Sequence, residues 1–145
     1  MLIHQILSSK PNPGVLTVVP TATVAQAADV LAKNRIGSVI VSDDDGQTAI
    51  GILSERDIVR NLAKDGSGCL TRPVSQYMTC ELHTSTSQAS VQEVLTRMTE
   101  GRFRHMPVVE DGKMIGLVTL GDLVKAQLSE LAMENQALEG MIMGH

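Results

Sequence analysis

The chain repeats itself, and this constrains its fold more than any other feature. Sliding the second half back on the first aligns Thr23-Val24 with Ser90-Val91, Ala27-Ala28 with Val94-Leu95, Leu31 with Met98, Ile36 with Phe103 and Val41 with Val108, each pair 67 positions apart. The match resumes at an offset of 65, where Ile50-Gly51-Ile52-Leu53-Ser54 and Asp57-Ile58-Val59 meet Ile115-Gly116-Leu117-Val118-Thr119 and Asp122-Leu123-Val124. It also extends backward, since Ile3-His4-Gln5-Ile6-Leu7-Ser8 resembles Val74-Ser75-Gln76-Tyr77-Met78-Thr79 at an offset of 71. Loops of different length between the copies account for the drift. Self-similarity at such a period means one supersecondary unit used twice.

Apolar spacing then gives the unit. Val24, Ala27, Ala28 and Leu31 fall at helical spacing, as do Val91, Val94, Leu95 and Met98, so each copy opens its body with an amphipathic helix. Short β-rich runs follow at Ser38-Val39-Ile40-Val41 and Met106-Pro107-Val108-Val109. The acidic turns Asp43-Asp44-Asp45-Gly46 and Glu110-Asp111-Gly112 read as hairpin connections. Strands return over Ala49–Leu53 and Met114–Val118, and second helices start at Ser54 and Thr119. The predicted unit is β-α-β-β-α.

One such unit cannot cover both faces of its sheet, so the expected architecture is α/β (α+β), two repeats packed sheet to sheet around a pseudo-twofold axis. The first repeat spans residues 1–64 and the second 74–128. A joint at 65–73, containing Gly66-Ser67-Gly68 and ending at Pro73, is expected to be flexible. Residues 129–145 form a helical tail. In it Met133, Met141 and Met143 could line an adaptable partner surface or cover a core, and Gly140 and Gly144 are expected to fray it.

Chemistry concentrates in Ser54-Glu55-Arg56-Asp57 and Thr119-Leu120-Gly121-Asp122, which share the pattern S/T-x-x-D directly after a Gly-containing strand. Two readings compete. As a capping box, the hydroxyl caps the helix and the acid three residues on answers back, with no ligand needed. As a ligand site, the helix start offers free N–H groups and positive dipole charge to a phosphate, and the carboxylate accepts hydrogen bonds from a ribose cis-diol.

Taken as two copies in order, Gly51-Ile52-Leu53-Ser54-Glu55-Arg56-Asp57 and Gly116-Leu117-Val118-Thr119-Leu120-Gly121-Asp122 resemble the closing motif of the CBS-domain family, named for cystathionine β-synthase. The resemblance covers nearly the whole chain to about Leu128. It implies a disc-like pair of repeats with two clefts, each able to hold AMP, ADP, ATP, NAD(H) or S-adenosylmethionine as a regulatory ligand. Asp57 and Asp122 would hold ribose, and Ser54 and Thr119 would assist. Adenine would lie near Val18, Val19 and Ile36 in one cleft and near Ser85, Met106 and Pro107 in the other. Arg104 and His105 would reach across the twofold to phosphates at Asp57, joined by Arg56, whereas the Asp122 cleft would have Gly37, Ser38 and Gly121 at the equivalent points. A homodimer is implied by the same family. So is an unidentified regulated protein whose activity the ligand-bound module alters. The alternative is a purely structural module for dimerisation or interaction, in which the S/T-x-x-D patterns are caps only.

Composition narrows the classes. A net charge of −4 lacks the Lys/Arg surplus of a phosphate-backbone binder, so nucleic acid is not an expected partner. Phe103 and Tyr77 are the entire Phe/Trp/Tyr complement, so a base-stacking platform or an aromatic-walled pocket is not expected and a ligand ring must be gripped by aliphatic groups. Cys69 and Cys80 are isolated thiols, and His4, His83 and His145 lack partners at metal spacing. No Ser-His-Asp, Cys-His, paired-carboxylate or phosphate-loop constellation occurs, so binding rather than catalysis is expected, with no catalytic cofactor. The opening Met1-Leu2-Ile3-His4-Gln5 is not signal-like and no long apolar run follows, so the expected address is the cytoplasm, not a membrane.

Overall fold

The computed structural model describes residues 1–10 and 14–142. Met143, Gly144 and His145, for which a partner surface, fraying and a surface role were expected, lie outside the described residues. A short helix α1 (Ile3–Ser9) leads into β1 (Thr17–Val18), α2 (Val24–Asn34), β2 (Ser38–Val41), β3 (Gly51–Ser54) and α3 (Glu55–Asp65). The second half runs through two 3-10 turns, Gly66–Thr71 and Val74–Gln76, into α4 (Val91–Gly101), β4 (His105–Glu110), β5 (Lys113–Thr119) and α5 (Leu120–Ile142).

Local chemistry explains most boundaries. Thr23, Ser54 and Ser90 sit in extended backbone just before α2, α3 and α4, and each hydroxyl accepts the N–H three residues on. That satisfies one of the donors every helix start leaves open. Arg35 and Arg102 end α2 and α4 in left-handed backbone at φ 53° and 57°, equivalent residues doing the same job in the two repeats. Asp111 and Gly112 form the β4–β5 turn, both at positive φ, the twist a two-residue hairpin requires. In the first repeat the ladder begins at Gly51 rather than at the expected Ala49, because the longer acidic loop delays the pairing of Gly51 with Val41.

The sheets differ in size. β2 pairs parallel with β1 and antiparallel with β3, whereas β4 and β5 form an antiparallel pair, bulged between Val108 and Val109. In the second repeat the opening strand shrinks to one parallel bridge, Ser85 to Val108. The two hairpins are tied by the Met114 N–H, which donates to the Gln47 carbonyl at 2.8 Å.

The two repeats exchange their opening segments. α1 lies on the second repeat, with Ile3 N–H donating to the Ala89 carbonyl and Val91 N–H to that of Met1. Ile3 and Ile6 are buried there with Val91, Val94, Met98, Met106, Val118 and Leu123. Conversely, Val74 N–H donates to the Ala22 carbonyl and Thr79 exchanges bonds with Ile52. Val74, with Tyr77 and Met78, packs into the core formed by Val24, Ala27, Leu31, Val39 and Leu53. Each core is thus completed by the other repeat, and the motif glycines are where the exchange is tightest. A Cβ on Gly51 would lie 2.7 Å from Met78 Cγ, and one on Gly116 would lie 2.7 Å from Leu7 Cδ2.

The joint, expected to be flexible, takes a defined conformation in this structure. Its 3-10 turn buries Cys69 completely, and the Tyr77 hydroxyl bridges Asp65 and Arg72 at 3.0 and 2.8 Å. Helix α5 runs through Gly140 to Ile142. Beyond Ala126 this helix leaves Leu128, Leu131, Met133, Leu138 and Met141 exposed. Among the described residues no helix is long and apolar enough to cross a membrane.

Candidate ligand-binding site

A cavity of about 440 Å³ opens where the end of β3 and the start of α3 face the start of β4 and the start of α5. That is within the roughly 300–1,000 Å³ of small-molecule sites. From the first repeat come Gly37, Ser54, Arg56 and Asp57, and from the second Arg104, His105, Pro107 and Thr119. The exchange of opening segments adds Thr79, Glu81, Leu82 and His83, carried to this cavity because Thr79 is bonded to Ile52 on the neighbouring strand.

Helix α3 points its N-terminus at this space, and the Ser54-Asp57 pair forms a closed capping box. Asp57 N–H donates to Ser54 Oγ at 3.1 Å, and Ser54 N–H donates to Asp57 Oδ2 at 2.9 Å. The second carboxylate oxygen is less engaged, with the Arg60 guanidinium 3.7 Å away on a largely exposed side chain. Asp57 therefore serves as a cap and keeps acceptor capacity toward the cavity. Both sequence readings of the motif are compatible with that geometry.

The wall is charged and mixed. Arg56, Arg60, Arg102 and Arg104 stand against Glu55, Asp57 and Glu81, an arrangement suited to a ligand with an anionic end and hydroxyl donors. His105 lies at its centre, with Nε2 and Glu55 Oε1 both within 4 Å of where a Gly37 Cβ would be. A Cβ at Gly37 would stand in ordinary van der Waals contact with both. Burial, then the neighbouring Arg104, holds the His105 imidazole below its usual pKa, with Arg56 adding to the shift and Glu55 and Asp122 opposing it.

Two rings overlooked by sequence reasoning sit here. His83 and Phe103 stack with centroids 4.2 Å apart and planes 2° from parallel, both lining the cavity. An imidazole thus gives the cavity a second ring beside Phe103, one that a count of Phe, Trp and Tyr leaves out. Nothing in the spacing of His83 and Phe103 signals the pairing. It follows from the exchanged segment that brings residues 79–83 to the first repeat's motif.

Other expected residues lie elsewhere. Val18 is half-buried against the first core, Val19 is 54% exposed, and Ile36 lines a groove between α2 and α3. Met106 is fully buried in the second core, and Ser85 is buried with its backbone bonded to Pro107 and Val109. Ser38, the counterpart of His105, is buried, and its hydroxyl has no hydrogen-bond partner among the described residues. Asp122 repeats the capping geometry with Thr119, but its carboxylate is taken by Lys10 at 3.0 Å and does not line the cavity. Cys69 and Cys80 are free thiols, one buried and one exposed.

Comparison with known proteins agrees with this architecture. The chain matches the CBS domain over residues 5–64 and 74–129. It is 35% identical over 125 residues to the mitochondrial CBS domain-containing protein CBSX3 of Arabidopsis thaliana, covering 84% of this chain and 61% of that one. It is 30% identical to the CBS domain-containing protein YhcV of Bacillus subtilis, covering 79% of this chain and 80% of that one. Among solved structures, the CBS-domain protein ATU1752 of Agrobacterium tumefaciens superposes with a TM-score of 0.83 at 36% identity, over 88% of this chain and 99% of that one. The CBS domain pair of protein MJ0100, solved in complex with 5'-methylthioadenosine and S-adenosylmethionine, superposes with a TM-score of 0.77 at 26% identity, over 90% of this chain and 98% of that one. Two matched repeats, their order and the superposition lead to one conclusion: the chain belongs to the CBS-domain family as a tandem CBS pair.

Proposed function

We propose that the chain is a ligand-sensing module that binds an adenosine-containing nucleotide in the cavity at Asp57 and catalyses no reaction on it. The observation that carries this reading is the convergence of the Ser54-Asp57 helix start from one repeat with Arg104 and His105 from the other. Asp57 accepts from the ribose hydroxyls, and the α3 N-terminus, Arg56 and Arg104 hold the phosphates. The stacked pair of His83 and Phe103, with Leu82 and Pro107, offers the base a flat and apolar wall. The adenosine ligands of the related MJ0100 pair support the same ligand class, from which AMP, ADP, ATP, NAD(H) and S-adenosylmethionine are the candidates.

A site built from both repeats makes ligand binding sensitive to their mutual arrangement, so occupancy shifts a conformational equilibrium that a partner protein reads. The unit of action is a homodimer. Val59 on α3 and Val124 on α5, counterparts under the repeat, are 65% and 44% exposed, which gives both halves an apolar patch on equivalent helices. A cytoplasmic address fits two cysteines that stand as free thiols.

A second reading has its own observation, since both hydroxyl–acid pairs are satisfied as caps without any ligand. On that reading the module only dimerises. A thermal-shift screen across the candidate nucleotides separates the two. Ligand at a hundred times its Kd adds about 2.7 kcal/mol, raising the Tm of a domain this size by roughly 5–10 °C, and chromatography then recovers the nucleotide unchanged. No shift with any nucleotide supports the structural reading, and turnover that scales with pure protein contradicts the absence of catalysis.

A further inference from the structure

The two repeats carry opposite charges at equivalent points. Met78 and Leu7, which cover Gly51 and Gly116, are counterparts, and three residues beyond them stand Glu81 and Lys10. Glu81 lines the open cavity at Asp57. Lys10 instead closes on the second motif, its Nζ donating to Asp122 Oδ2 at 3.0 Å and to the Leu117 carbonyl at 2.8 Å. The same carboxylate oxygen already accepts the Thr119 N–H at 3.0 Å. Both side chains of the ion pair are about three-quarters buried, with 25% and 26% exposure, so the contact is partly shielded from water.

We infer that Lys10 is a tethered occupant of the second repeat's ligand position, a specificity-determining residue that excludes nucleotides from Asp122 and leaves Asp57 as the site that fills. This rests on the reading of Asp57 as the nucleotide site. A ribose diol approaching Asp122 meets a carboxylate whose Oδ2 already accepts the Lys10 ammonium and the Thr119 N–H, so the negative charge that would strengthen its hydroxyl bonds is already offset by an ion pair within the chain. The competitor is also part of the chain, and a short tether holds it at an effective concentration in the millimolar range.

Calorimetry on the full chain with AMP and with ATP tests the inference, using Lys10→Met, which keeps the aliphatic stem and removes the ammonium. The expected result is one nucleotide per wild-type chain and two per Lys10→Met chain. The added event should be roughly tenfold to hundredfold tighter than any second event in the wild type, and lost again in Lys10→Met/Asp122→Asn. Equal stoichiometry in wild type and Lys10→Met, or two nucleotides per wild-type chain, overturns it. If the wild type binds none and Lys10→Met binds one, the inference stands and the Asp57 reading falls; if neither binds, both fall. Acetylation of lysines followed by mass spectrometry gives a check without nucleotide. Lys10 in the wild type should react at least about tenfold more slowly than in Asp122→Asn, as a charge-assisted bond of this kind requires, with Lys33, Lys64, Lys113 and Lys125 unchanged. Equal Lys10 reactivity in the two proteins overturns the inference.

Discussion

Replacing Gly51 by alanine should destabilise the fold through one contact that belongs to the other repeat. The added methyl would lie 2.7 Å from Met78 Cγ and 3.1 Å from its Cβ. A clash with the far end of a methionine relaxes by rotation, but the Cβ distance is fixed by backbone. That backbone is held by the Met78 N–H on the Val74 carbonyl and the paired bonds between Thr79 and Ile52. Overpacking of this sort costs about 1–3 kcal/mol. Gly51 has no positive φ, so alanine regains about 0.5–1 kcal/mol of backbone entropy. The net expectation is a loss of about 0.5–2 kcal/mol, the strand and its neighbours otherwise unchanged. In a Met78→Gly background the clashing atoms, Cβ included, are gone, and Gly51→Ala should become neutral or slightly stabilising. Urea denaturation of the four proteins in this cycle gives the coupling energy directly. If Gly51→Ala costs the same with and without Met78, the exchange of opening segments is not what the motif glycine serves, and the explanation fails.

Further outcomes follow from the same geometry. Arg104→Ala should weaken ATP by roughly tenfold to hundredfold, the loss of about 1.5–3 kcal/mol expected for a charge-assisted bond. Calorimetry should find the effect smaller for AMP and at high salt, because Arg104 is exposed. The lowered His105 pKa means the unfolded chain binds the proton first as the solution is acidified. Stability from the neutral imidazole is therefore complete above about pH 6.5 and is lost as pH falls toward the folded-state value. The difference in Tm between wild type and His105→Gln should be constant above that pH and change below it, as the wild type loses stability that the variant keeps. A phosphate beside the ring reverses the sign for binding, so the ratio of ATP affinities, wild type over His105→Gln, should rise between pH 7.5 and 6, the titration of ATP itself being common to both. Sedimentation at micromolar concentration should give a mass of twice 15.5 kDa. A monomer in the presence and absence of nucleotide would contradict the dimer.

Much of the architecture is legible from local signals. The 3.6-residue spacing of Val24, Ala27 and Leu31, the hydroxyl caps and the Asp-Gly turn each act within a few residues, so the helices and the second hairpin emerge where expected. Exchange between repeats is not a local property. The similarity of residues 3–8 to 74–79 reveals a repeated segment, but not that each copy packs on the other repeat's core. That single fact hid Thr79, Leu82 and His83 from the site and sent Lys10 to Asp122. The side chain of Met106 is placed by its own strand. It alternates along β4, and the side facing the second core is the one it occupies. The joint shows the weight of tertiary contacts, since a Gly-Ser-Gly sequence folds into a 3-10 turn beside the buried Cys69 and the bridge at Tyr77.

The central claim is that Asp57 belongs to the principal nucleotide site, and paired titrations of Asp57→Ala and Asp122→Ala test it most directly. Calorimetry with ATP should find that Asp57→Ala removes the tight event, with AMP and NAD weakened similarly because the ribose contact is common to all three. Asp122→Ala should leave that event nearly intact, since its carboxylate faces Lys10 and not the cavity. Loss of tight binding in Asp122→Ala with Asp57→Ala unaffected would contradict the account.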